Sequence, residues 1–196
     1  MKTNNRIWSS QLVLMGFLLF LTISCKKDNE SDSGIAIGQS YQGGKIAYIL
    51  QPGDNGYDSN VQHGLIVAPS DQGTGVPWGS FVTTILGADG TAIGTGNQNT
   101  IDIMAAYSTP GTAARLCGDL VLGGYSDWYL PSKDELNQLY LNKDAIGGFA
   151  TVTYYASSSE NSKDYAWGQH LFASGQVRGD LPKDSPSFWV RAVRSF

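Results

Sequence analysis

The chain has 196 residues, with 13 Lys+Arg against 17 Asp+Glu, 41% hydrophobic and 15% charged residues. That balance is too apolar and too weakly charged for a disordered chain, and a net charge of −4 supplies no general basic footprint for nucleic acid. Two cysteines exclude a disulfide framework, and the length suits one domain of ordinary size.

Lys2 and Arg6 precede an apolar run from Leu12 to Leu21. A run this short falls well below the ~20 residues of a spanning helix and suits the hydrophobic region of a secretory signal. Residues 1–24 are therefore read as a signal peptide. It ends in Leu21-Thr22-Ile23-Ser24-Cys25, which resembles a bacterial lipoprotein signal, with Cys25 as the lipidated first residue of the mature chain. A plain secretory signal with an incidental cysteine is the alternative, because Thr22 stands where such signals usually carry Leu. Residues 25–34 have no apolar side chain to bury and read as a flexible tether. They are similar to the acidic export tag of Bacteroidota surface lipoproteins. The implied location is the outer membrane, lipid-anchored through Cys25 and exposed at the surface. Without Lys2 and Arg6 the mature chain carries 11 basic and 17 acidic side chains, a net charge of −6.

Residues 35–196 read as one domain of short alternating elements. Lys45 to Leu50 is a strand, the cluster Pro52 to Gly56 a turn, and Gly64 to Ala68 a mostly apolar, central strand. Ser70 to Asn99 reads as a long irregular excursion. Within it, Gly94 to Asn99 lacks the Gly-Lys-Ser/Thr ending of a phosphate loop. Thr100 is placed to cap a helix from Ile101 to Tyr107, and Thr109-Pro110 to start a second helix ending near Gly118. On that second helix Ala113, Leu116, Cys117 and Leu120 share a face. Cys117 is read as a small core hydrophobe, with no base nearby in sequence to lower its pKa. Ser132 and Glu135 form a capping box, followed by Leu136, Leu139 and Tyr140 at the spacing of a buried helical face.

The last fifty residues turn to strands: Thr153 to Ala156, Tyr165 to Phe172, and Phe188 to Phe196. The final one alternates, with Trp189, Arg191 and Ser195 on one face and Phe188, Val190, Ala192, Arg194 and Phe196 on the other.

Three phrases go beyond periodicity: Gly123-Gly-Tyr-Ser-Asp-Trp-Tyr-Leu-Pro-Ser-Lys-Asp-Glu-Leu136, then Tyr155-Ala-Ser-Ser-Ser-Glu160 with Ala166-Trp-Gly-Gln169, and Trp189-Val-Arg-Ala-Val-Arg-Ser-Phe196. In order and spacing they resemble the C-terminal domain of the Legionella collagen-like protein, most strongly over residues 110–196. The resemblance implies an α+β, C-type-lectin-like fold: two to three helices, a twisted antiparallel sheet and a long loop region. The residues of the first phrase also have ordinary structural readings. Gly123-Gly124 permits a tight turn, Asp127 hydrogen-bonds backbone there, and Trp128 supplies core area.

Chemistry finds little support. No Gly-x-Ser-x-Gly elbow exists, and the two histidines, His63 and His170, stand far apart with no HExxH pattern. Sequence leaves open whether Asp127, Glu135, Glu160 and Asp164 approach one another. The lectin calcium signatures Glu-Pro-Asn and Trp-Asn-Asp are absent. No catalytic residue, metal site or cofactor is predicted. The collagen-like relative is associated with sulfated glycosaminoglycans, which call for clustered cations. Here Arg178, Lys183, Arg191 and Arg194 are interleaved with Asp180 and Asp184, so that ligand is not carried over.

The expectation is a lipid-anchored envelope protein with a non-catalytic domain that binds a glycan or a surface protein, and no nucleic acid. Its contacts are expected in the 157–185 segment: Glu160, Asp164, Arg178 and Asp180, with Trp167 as stacking platform. The alternatives are an envelope hydrolase or transferase using carboxylates, and an architectural component of a surface assembly.

Overall fold

The computed structural model describes residues 34–81, 83–171, 175 and 177–196. The expected signal peptide, Cys25 and all of the tether but Gly34 lie outside the described residues, as does Phe172. Within them the strands gather into two sheets. The first has the order β1-β2-β3-β9, from β1 (Ser40–Tyr41), β2 (Gly44–Ile49), β3 (Gly64–Val67) and β9 (Val193–Ser195), with every pair antiparallel. The second has the order β4-β8-β5-β6-β7, from β4 (Gly73–Val76), β5 (Tyr154–Glu160), β6 (Tyr165–His170), β7 (Val177–Pro182) and β8 (Phe188–Val190). Only the β5–β8 pair, Tyr155 opposite Trp189, is parallel there. Helices α1 (Gly96–Ala106), α2 (Ala113–Gly118), α3 (Lys133–Leu141) and the single turn α4 (Lys143–Ile146) complete an α+β domain.

Residues 34–196 form one compact unit. All four residues of β3 are buried, as their apolar run requires of a central strand. Alternation then divides them: Ile66 joins a core with Ile46, Trp78, Ile103, Cys117, Trp128 and Phe188, while Leu65 and Val67 join a second with Tyr129, Leu136, Leu139, Tyr155 and Val193.

Several elements differ from their sequence expectation. β4 forms inside the stretch read as irregular, paired with β8. Helix α1 starts at Gly96, so Thr100 lies within it rather than capping it. Its hydroxyl donates to the Gly96 carbonyl at 2.8 Å and accepts from the Leu130 amide at 3.1 Å. Position 96 holds glycine because a side chain there would run into Glu135, Ser132 and Leu130. Helix α2 starts at Ala113, with Thr112 in place of Thr109-Pro110 at its N-cap. The terminal segment is two strands, not one. It leaves the second sheet after Val190 and enters the first at Val193, where it bridges Tyr129. Crossing between sheets covers both of its faces, so the expected alternation breaks and Arg191 is 1% exposed.

The capping box is present: Ser132 Oγ accepts from Glu135 N at 3.3 Å and Glu135 Oε2 accepts from Ser132 N at 2.7 Å. The Gly123 turn is a place where glycine is required. Gly43 (φ +86°) and Gly123 (φ +65°) meet backbone to backbone, and a Cβ on Gly43 would lie 2.9 Å from the Gly123 Cα.

Candidate functional site

The charged residues of the three phrases tie the chain together, each in a similar setting. Arg194 donates from Nε and Nη2 to the Asp127 carboxylate at 2.7 and 2.8 Å, donates to Gln42 Oε1 at 2.6 Å, and lies 3.9 Å from the Tyr125 ring centroid. Asp127 thus faces a guanidinium across the sheet edge; the Arg194 hydrogen bonds hold its carboxyl below the usual range. Arg191 donates to Asp71 at 2.6 Å and to the carbonyls of Ala68 and Gly148, over the Phe149 ring at 4.6 Å. The Tyr155 hydroxyl donates to the same Asp71 at 3.2 Å, with burial pushing that phenol up to about 12.

Lys183 makes the third tie. Its ammonium donates to Glu160 Oε1, to Thr83 O at 2.9 Å and to Lys163 O at 3.2 Å, and sits 4.9 Å over the Trp78 ring. The Glu160 carboxylate also accepts from Ile85 N at 3.0 and 3.1 Å. With side-chain exposures of 0% and 4%, this pair is fully desolvated. Full hydrogen bonding of both groups is what makes such burial tolerable.

The five residues expected as contacts are therefore not one cluster. Glu160 points inward and serves the 83–85 loop. Asp164 pairs with Lys163 at 2.8 Å and is partly exposed. Arg178 and Asp180 are exposed on β7 and bound to each other through two bonds, at 2.8 and 2.6 Å. Trp167 lies on the opposite face of that strand: a Cβ on Gly179 would point at its ring, 2.9 Å away, and Lys133 Nζ sits 5.3 Å from the ring centroid. Asp127, Glu135, Glu160 and Asp164 each have a different partner. Among the described residues no group of three or more His, Cys, Asp or Glu is placed to hold a metal ion.

The described residues leave several concavities, among them a groove and a smaller pocket. A groove of about 580 Å³ runs between Ser70, Asp71 and Gln72 on one wall and Pro110, Gly111, Arg115 and Asp119 on the other. Leu116, Leu120 and Leu122 floor it, beside the exposed Val121. Most of its polar groups already have partners: Asp71 holds Arg191, and Gln72 Oε1 accepts from Ala192 N. A smaller pocket of about 180 Å³ opens between Leu50, Asn55, His63, Leu65, Ile93, Ser195 and Phe196. The sequence reading missed both. The apolar triplet Leu120-Val121-Leu122 after a helix end was a signal for the groove; the pocket is assembled from loops far apart in the chain and left none.

These features define a small α+β domain of two antiparallel-rich sheets whose characteristic charged residues are ties between strand, helix and loop. The model of the Lcl C-terminal domain matches residues 68–194, and the chain belongs to that family. The match extends past the three phrases to take in β4 and α1. No curated protein matches the chain.

Proposed function

We propose that this protein is a lipid-anchored component of the outer surface whose Lcl C-terminal domain is a non-catalytic module binding a glycan or a protein partner. The observation that supports this most is the use of the ionisable side chains. Asp127, Glu135 and Glu160 are each bound to scaffold groups, whereas catalysis needs titratable groups facing a shared open space. What the domain offers to solvent is concave surface and the β6–β7 rim, with Arg178 and Asp180 as contacts on one face of β7, Trp167 on the other and Asp164 just before β6, while Glu160 supports the 83–85 loop. Family membership supports the non-catalytic reading, and the signal-like N-terminus of the sequence supports the anchored one.

Three of the four basic residues near the C-terminus bear on the ligand. Lys183, Arg191 and Arg194 are 0%, 1% and 6% exposed, so a polyanion finds only Arg178 among them, already paired with Asp180. A neutral or mixed-charge partner fits better.

The test has two arms. Cells expressing the chain are labelled with radioactive palmitate and shaved with protease; label on Cys25, lost in Cys25→Ser, together with cleavage on intact cells, is the expected result. Purified protein is then applied to arrays of neutral and acidic glycans and of envelope proteins, with and without calcium. Binding weakened by Trp167→Ala or Arg178→Ala supports the module; turnover of any array glycan, or no binding to any component, overturns it.

A further inference from the structure

The small pocket is better furnished for a ligand than its size suggests. Its apolar walls are Leu50, Leu65, Ile93 and Phe196, and its polar groups come from Asn55, His63 and Ser195. Behind Ser195 runs a buried hydrogen-bond chain with a fixed direction. Glu135 accepts from the amides of Gly94 at 2.8 Å and Ser132 at 2.7 Å, so its carboxylate is the acceptor end. Tyr129 Oη donates to Glu135 Oε1 at 3.3 Å, which leaves the phenol oxygen to accept from Ser195 Oγ at 3.1 Å. With its proton committed inward, Ser195 presents only lone pairs to the pocket.

His63 is oriented in the same sense. Its Nδ1 lies 3.1 Å from a main-chain oxygen of the terminal residue Phe196, which can only accept, so Nδ1 carries a proton and Nε2 is the ring nitrogen left to a ligand. The Asn55 side chain makes no hydrogen bond among the described residues and adds a donor and an acceptor. No Asp, Glu, Lys or Arg side chain lines the pocket, and the one charge beside it is the terminal carboxylate of Phe196, bound by His63 and by the Gly64 amide. That carboxylate repels an anionic ligand, and no cationic side chain there offsets it. The ligand this wants is neutral, carries several O–H donors on an apolar frame, and fills about 180 Å³. A single sugar ring has that chemistry, with hydroxyls at its edge and C–H faces suited to an aromatic wall.

We propose that this pocket binds one neutral sugar residue, its hydroxyls donating to Ser195 Oγ and hydrogen-bonding His63 Nε2, and its apolar face lying along Phe196 and Ile93. The proposal rests on the domain being a binding module and names the ligand at one place in it; the pocket shares no lining residue with the large groove.

The experiment is saturation-transfer difference NMR on the full chain held in a detergent without sugar headgroups. D-glucose, D-galactose, D-mannose and N-acetyl-D-glucosamine are the probes. At least one gives a signal in the parent protein, about tenfold weaker in affinity in Ser195→Ala and absent in Ile93→Trp, which fills the pocket. Asn55→Trp closes the same mouth from the exposed loop and replaces Ile93→Trp if that variant does not fold. Val121→Asp, in the groove, leaves the signal unchanged. No signal with any of the four sugars, or a signal that survives a folded pocket-filling variant, overturns the proposal. Array binding that persists while the pocket variants are silent leaves the module reading standing and removes only the pocket; the absence of all array binding removes the module itself.

Discussion

Asp127 and Arg194 are 67 residues apart in the chain and share two hydrogen bonds, at 2.7 and 2.8 Å, that fasten the Gly123 turn to the last strand. The guanidinium is 7% exposed and the carboxylate 57%, so the pair is half in water. An Arg held by a bidentate acid and an aromatic face at once cannot be replaced by Lys without losing the planar match.

Asp127→Asn is expected to destabilise the domain by about 1 kcal/mol or less at neutral pH, the exposed carboxylate being screened by solvent. The pKa of Asp127 is lowered in the folded state. Its stabilising contribution is therefore present above the unfolded value near 3.8 and is lost as pH falls through the lower folded one. Urea unfolding should separate parent and variant at neutral pH and bring them together in acid. A difference that grows in acid would contradict the pairing.

Lys183→Met should be far more damaging. It strands the Glu160 carboxylate in a site of 4% exposure, and breaking one side of a buried pair costs about 3–5 kcal/mol. The double variant Lys183→Met with Glu160→Gln should recover part of that loss. Denaturation midpoints of both variants check this; a double variant no better than the single one would show that the charge was not the problem.

Cys117 is fully buried in α2, and burial pushes its thiol pKa up. In a Cys25→Ser background, native protein should react with a thiol reagent at a negligible rate, and denatured protein should take up one equivalent. Fast native labelling would move Cys117 out of the core.

Ser132→Ala removes both the N-cap acceptor for Glu135 N and the donor to the Ala92 carbonyl at 2.9 Å. A loss of about 1–2 kcal/mol is expected. Burial raises the Glu135 pKa, with the Ser132 and Gly94 amides drawing it partly back. A group raised in this way favours the folded state most below its unfolded value, and that contribution declines as pH rises through the folded one. Carboxyl-carbon NMR should place the Glu135 midpoint above 4.5, the ordinary value; a midpoint below it would mean that the hydrogen bonds outweigh desolvation.

Local order was readable from the chain alone. The capping box at Ser132 and Glu135, the buried run of β3, the core cysteine of α2 and the family carried by three phrases all depend on residues close together in sequence, where a fixed backbone period links pattern to burial. Asp127 was read as a backbone-bonding turn residue and Arg191 as one face of a single strand, because neither sequence position reveals what lies opposite. Asp71 meets Arg191 across 120 residues and Glu160 meets Lys183 across 23, separations that no local period encodes. The crossing from β8 to β9 between two sheets decides that three cations near the C-terminus are buried ties rather than a surface for anions. The pocket was settled the same way: Asn55, His63, Ile93 and Ser195 come from distant segments, and only the packed sheets and loops bring them around one space.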